Sequence, residues 1–150
     1  MAAKIDEKDL KRIREQLPWL DGLGIEIAEM GDKRAVLTLA ASRDVLRPGG
    51  TVSGPAMMTL ADAAMYFAIL GTIGLVEMAL TTSLSINFLR PPPPGEMRAE
   101  CRILKLGKRL AYGEAFIYSA GADPEQPVAH ATMTYSIPPD RPAPPAGTAS

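Results

Sequence analysis

Between Arg47 and Glu77 the chain reads RPGGTVSGPAMMTLADAAMYFAILGTIGLVE, with one internal carboxylate, Asp62, set among Ala, Met, Leu, Ile and Phe. So apolar a run must leave water, and its length suits a helix rather than a strand. Pro48-Gly49-Gly50 and Ser53-Gly54-Pro55 form a tight entrance to it. Ser53 can cap the orphan N–H groups, and Pro55 fits the first turn, where its missing donor matters little. The helix dipole and free N–H groups make residues 51–55 a natural seat for a developing negative charge. A carboxylate inside such a helix needs either a hydrogen-bonding neighbour or a chemical task. The plain reading of Asp62 is the hydrogen bond; the sharper one is catalysis.

The 150 residues suit one domain, and 47% hydrophobic content is enough to bury a core. A formal net charge of −1 provides no overall field toward nucleic acid or an anionic membrane. The single Cys101 excludes an internal disulfide and is compatible with a reducing, cytoplasmic setting. Residues 1–20 are charged and helical in pattern, unlike a secretory leader. Residues 56–76 are long enough to span a bilayer, but Asp62, Gly71, Gly74 and the alternating segments that follow mark a buried soluble helix instead.

Leu10, Ile13 and Leu17 share one face of an amphipathic helix that Pro18 should end, with Trp19 and Leu20 packing it onto the body. Residues 24–30 and 34–40 alternate about the turn Gly31-Asp32-Lys33 and read as a hairpin. After the apolar helix the period becomes two and stays so, through residues 80–88, 97–103, 110–118 and 128–137. In the first of these, Leu80, Leu84, Ile86 and Phe88 alternate with Thr81, Ser83, Ser85 and Asn87. Pro91 to Pro94 make a rigid crossover. The expectation is an N-terminal helix over 1–20, a domain over 21–137 and a disordered Pro/Ala-rich tail over 138–150. The class is α+β, a long central helix covering a roughly six-stranded antiparallel sheet.

This order of elements resembles the hotdog fold, and over residues 20–137 the motifs resemble those of PaaI-like acyl-CoA thioesterases. In that family a loop with Asn and then His-Gly-Gly enters the helix, and a catalytic acid follows eight or nine residues later. Here Ser53-Gly54-Pro55 stands in the His-Gly-Gly slot and Leu60-Ala61-Asp62 carries the acid. Asn87-Phe88-Leu89-Arg90-Pro91, Leu106-Gly107-Lys108-Arg109 and Val128-Ala129-His130-Ala131-Thr132 match later family motifs. Arg47 replaces the family's Asn, Ser53 its His and Pro55 its second Gly, the marks of a divergent subgroup.

The resemblance implies hydrolysis of an acyl-CoA thioester in a homodimer, often paired into a homotetramer. Spacing supports the dimer: Gly54 and Asp62 lie about 12 Å apart along one helix at 1.5 Å per residue, too far to act on one thioester from one chain. In this reading the Gly54 N–H stabilises the oxyanion and Asp62 serves as general base or nucleophile. Thr81 occupies the place of the hydroxyl that positions water. Ser53 caps the helix, and Arg47 either replaces the lost amide or pairs with Asp62. Arg90, Lys105, Lys108 and Arg109 are candidates for the CoA phosphates; CoA is part of the substrate, so no separate cofactor is expected. Met57, Met58, Met65 and Phe67 line the acyl pocket or form core. His130 and Cys101 read as structural, because neither has a partner nearby in sequence.

Two other readings stand beside hydrolysis. One is a non-catalytic acyl-CoA binder, made so by Arg47, Ser53 and Pro55. The other is a hotdog enoyl-CoA hydratase, disfavoured because no His lies near Asp62 in sequence. No zinc-ligand cluster or phosphate-cradling loop is visible, so no metal is expected.

Overall fold

The computed structural model describes residues 3–139. Helix α1 (Glu7–Gln16) starts at a capping box in which Asp6 and Asp9 each accept the other's backbone N–H. Pro18 turns the chain into a five-residue helix that sequence reasoning missed, α2 (Trp19–Leu23), closed by Gly24 at φ 76°. Strands β1 (Ile25–Gly31) and β2 (Arg34–Leu39) form the expected hairpin, and a 3₁₀ turn at Arg43–Val45 leads toward the central helix α3 (Gly54–Ile73). Strands β3 (Leu80–Phe88), β4 (Met97–Leu106), β5 (Leu110–Ser119) and β6 (Ala129–Ser136) complete the chain. The expected tail falls, from residue 140, outside the described residues.

All strand pairs are antiparallel, in the order β1-β2-β4-β5-β6-β3. α3 lies across the concave face and packs chiefly on β2, β4 and β5. This is the hotdog fold. Leu60, Phe67, Ile69 and Leu70 are fully buried, each contributing roughly 1.5–3 kcal/mol relative to exposure. The helix sits so close to the sheet that a Cβ on Gly113 would lie 2.6 Å from the Met65 sulfur and 2.8 Å from the Arg102 carbonyl oxygen. Only a glycine fits there. The same Met65 sulfur lies 3.9 Å from the thiol of buried Cys101. Buried Thr72 donates to the Ala68 carbonyl at 2.6 Å and accepts from the Lys33 N–H at 2.7 Å, which ties the β1–β2 turn to α3. Although α3 is apolar and long enough to cross a bilayer, most of it is enclosed by the sheet.

β3 departs from the alternation expected of it. A bulge between Thr81 and Ser83 pairs Thr81 with Tyr135, Ser83 with Thr134 and Leu84 with Met133. Thr81 therefore turns inward with Leu84, while Leu80, paired with Ser136, is 62% exposed. β3 is also one of the two edge strands, hydrogen-bonded on one side only, and Phe88 on its inner face remains 49% exposed.

Candidate active site

Two separate concavities lie along α3. The first is a half-enclosed cavity of about 210 Å³, with Asp62, Ala63, Tyr66 and Phe67 from α3 in its wall. At its edge the Thr81 hydroxyl donates to Asp62 Oδ1 at 2.6 Å. The Tyr135 hydroxyl lies 2.9 Å from both Asp62 Oδ1 and the Asp62 carbonyl oxygen. Burial, and then the nearby Asp62 charge, push the Tyr135 phenol well above its ordinary range, so it keeps its proton and donates. The β3 bulge makes this arrangement possible, because it sets Thr81 directly opposite Tyr135 on the face toward α3. Among the described residues no hydrogen bond reaches Oδ2. One carboxylate oxygen is held and the other is free.

The second concavity is an open groove of about 500 Å³ at the start of α3, lined by Arg47, Gly54, Met57, Phe88 and Arg90 among others. Its floor is set by the loop before the helix: Leu46 and Val52 bridge, and Gly49 and Gly50 take φ of 99° and 85° to close the turn. Ser53 caps the helix by accepting from the Ala56 N–H at 3.2 Å. Pro55 has no donor, so the Gly54 N–H is the remaining first-turn donor, and it makes no hydrogen bond among the described residues. A side chain at Gly54 would meet the Phe88 ring at 3.2 Å.

The sequence-derived candidates divide between these places. Arg47 and Arg90 flank Gly54, and Arg90 also donates to the Pro127 carbonyl. The expected alternative of an Arg47–Asp62 pair is not formed within the protomer: the two residues line different concavities. Lys105 lies at the end of β4, and Lys108 and Arg109 in the β4–β5 connection beyond it, at the opposite end of the sheet, where the Arg109 carbonyl accepts from the Ile137 N–H at 2.8 Å. Of the apolar candidates, Phe67 lines the Asp62 cavity, Met57 the Gly54 groove, Met65 is core, and Met58 is exposed.

His130, expected to be structural, finds a partner on the neighbouring strand β5 and not nearby in sequence. Its Nε2 lies 2.9 Å from Glu114 Oε1, while Arg102 Nε donates to Glu114 Oε2 at 2.9 Å. This triad sits on the convex face of the sheet, away from both concavities, and holds the Glu114 carboxyl below its usual range. Tyr135 was missed because its place in an alternating strand reads as core. A hydroxyl opposite an in-helix acid becomes visible only once the register is known. A third concavity, broad and open, lies outside α1 and carries none of these groups.

The profile of the thioesterase superfamily matches residues 49–124, just over half the chain. A Silicibacter protein described as a candidate thioesterase is 38% identical, matches 93% of this chain and 96% of its own, and superposes with a TM-score of 0.81. A mutant of PaaI, a phenylacetic acid degradation protein of Thermus thermophilus, is 25% identical over 80% of this chain and 98% of its own, with a TM-score of 0.69. A candidate esterase of Thermoplasma volcanium is 26% identical over 113 residues, 75% of this chain and 84% of its own. Taken with the fold, these matches define the class as a thioester hydrolase. The chain belongs to the thioesterase superfamily, and PaaI proteins are among its structural neighbours.

Proposed function

We propose that this chain hydrolyses acyl-CoA thioesters to a free acid and CoA, as a homodimer in which each site joins the Gly54 end of one protomer to the Asp62 end of the other. The observation that carries the reading is the Asp62 carboxylate, with one oxygen fixed by two hydroxyls and the other free at an apolar cavity. As general base, Oδ2 takes a proton from water while the water oxygen bonds to the thioester carbon. The carbonyl oxygen becomes an oxyanion on the Gly54 N–H at the helix N-terminus. The C–S bond then breaks, and the thiolate of CoA leaves and is protonated. Alternatively Oδ2 itself attacks, forming an anhydride that water opens. In either route Thr81 serves by holding Asp62.

The dimer is supported by the separation of the two concavities and by β3, whose free edge and half-exposed Phe88 invite an identical strand. Antiparallel pairing of two copies would bring Arg47 and Arg90 of one protomer toward Lys105, Lys108 and Arg109 of its partner, a cationic rim for the CoA phosphates. Pairing of dimers into a homotetramer would use the convex sheet face, where Leu104 and Tyr112 are exposed. A cytoplasmic location, where acyl-CoA is met, belongs to the same reading.

The test is thiol release from short, medium, long and aromatic acyl-CoAs, with Asp62→Ala beside the parent. A fall of about 10²–10⁴-fold in kcat is expected. Tight acyl-CoA binding without turnover in the parent would overturn hydrolysis and leave a binder.

A further inference from the structure

The cavity beside Asp62 is not closed by the sheet and α3 alone. Leu17, Trp19 and Leu20, at the corner where Pro18 joins α1 to α2, form its remaining wall. This corner is fastened to the domain at several points. The Lys4 N–H donates to the Gly71 carbonyl at 2.9 Å, and Ile13 and Leu20 are buried in the core. Arg12 grips Glu77 through two hydrogen bonds, Nε to Oε2 at 3.0 Å and Nη2 to Oε1 at 2.9 Å. Arg14 meets Asp21 at 2.6 Å and braces the two short helices against each other.

The fork on Glu77 has a second effect. Glu77 also lines the cavity, and without Arg12 it would present an unpaired charge to whatever enters. The Tyr66 hydroxyl donates to the Glu77 carbonyl oxygen at 3.1 Å, and burial, followed by the Glu77 charge, pushes its phenol up to about 12. Tyr66 therefore stays neutral as well. Next to Asp62 there is thus a small chamber whose polar groups, other than the Asp62 oxygen, are already partnered. Its volume of about 210 Å³ falls below the roughly 300–1,000 Å³ of pockets that take drug-sized ligands. Trp19, 40% exposed, is the least buried of the three corner residues in the wall.

We infer that the α1–α2 corner is the specificity wall of the acyl pocket. Trp19 sets its depth, and the Arg12–Glu77 fork keeps it shut and uncharged, so that small apolar acyl groups are accepted and long fatty chains are refused. The inference rests on the acyl-CoA reading of the site, yet it has a readout independent of turnover. Trp19 is the only tryptophan in the chain, so its emission reports on the wall alone.

The experiment has two arms. In the first, Asp62→Ala is titrated with hexanoyl-CoA and with free CoA while tryptophan emission is followed; the acyl-CoA should change the emission and free CoA should not. In the second, kcat/KM is measured from acetyl-CoA to palmitoyl-CoA in the parent, Trp19→Ala, Trp19→Phe and Arg12→Ala. Trp19→Ala should move the optimum to longer chains, raising palmitoyl-CoA relative to hexanoyl-CoA at least tenfold. Trp19→Phe should restore most of the parent preference. Arg12→Ala should lower kcat/KM for hexanoyl-CoA mainly through KM.

Emission that responds to hexanoyl-CoA, with no turnover in the parent on any acyl-CoA, would keep the wall and remove the hydrolytic reading. Turnover with an optimum unmoved by Trp19→Ala, or a parent that prefers palmitoyl-CoA, would overturn the wall and leave hydrolysis standing. Emission silent toward hexanoyl-CoA would also overturn the wall, whatever the turnover.

Discussion

The two concavities along α3 are built on different plans. At Asp62 the protomer supplies everything that positions the carboxylate: two hydroxyls from neighbouring strands, a bulge that aims one of them, and an apolar chamber closed by the N-terminal corner. At Gly54 it supplies one free N–H, two arginines and an open groove beside an edge strand. An acid must be held at fixed geometry and partly away from water, so its surroundings are packed and complete. A donor at a helix N-terminus is already fixed by the backbone, so its surroundings can wait for a second surface. On the dimeric reading proposed above, the contrast is between a finished half-site and an unfinished one.

Breaking each half in turn sharpens that contrast. After the loss expected of Asp62→Ala, the next largest effect should come from Gly54→Pro, which removes the remaining N–H at the helix entrance. A fall of about 10²–10³-fold in kcat is expected. The pair also tests where the two halves meet. Co-expressed on differently tagged chains, Asp62→Ala and Gly54→Pro should recover about a quarter of parental activity, because half the dimers are mixed and each mixed dimer keeps one intact site. No recovery in purified mixed dimers would mean that both residues act from one chain.

Within the finished half, Tyr135→Phe should reduce kcat about tenfold with KM little changed. It removes one hydrogen bond to a charged group, worth roughly 1.5–3 kcal/mol, and Thr81 remains as a second support. Thr81→Val in the same background should cost more than in the parent, since each hydroxyl covers for the other at Oδ1. Equal losses in both backgrounds would show that the hydroxyls act independently.

The smallest effect belongs to a site that touches neither half. Glu114→Gln should leave kcat/KM unchanged and lower stability at pH 7 by about 1 kcal/mol. The hydrogen bond from His130, and then Arg102, lower the Glu114 carboxyl from its ordinary 4.5. Its contribution is therefore present above about that pH and is lost as pH falls through the lowered value. Urea unfolding at pH 7 and pH 3 should show the difference between parent and variant shrink.

The finished half was also the harder one to read. Asp62 stood out because a lone carboxylate in an apolar helix is anomalous, and Ser53, Gly54 and Pro55 stood out because turn and cap residues announce a helix start. Those are local signals, and the order of elements follows from them and from the change of period at Leu80. Tyr135, the Thr81 orientation and the Glu114–His130 pair depend on register, and alternation along a strand identifies faces, not opposite neighbours. The bulge reversed the parity of Thr81, which alternation alone had assigned to the outer face. The exposure of Phe88 depends on sheet order: β3 lies beyond β6 at the edge of the sheet, where α3 covers only part of its inner face. Helix α2 was hidden by its brevity, since five residues carry no usable period.

Cys101 adds something of practical use. It is 2% exposed, and burial, with Glu114 nearby, pushes its thiol up to about 12. A thiol that is both protonated and shielded does not react with aromatic disulfide reagents, so colour developed by the folded protein counts released CoA and nothing else. When the molecule opens, that sulfur becomes titratable, one equivalent per chain. The chain thus carries its own unfolding clock, readable in the cuvette that measures catalysis.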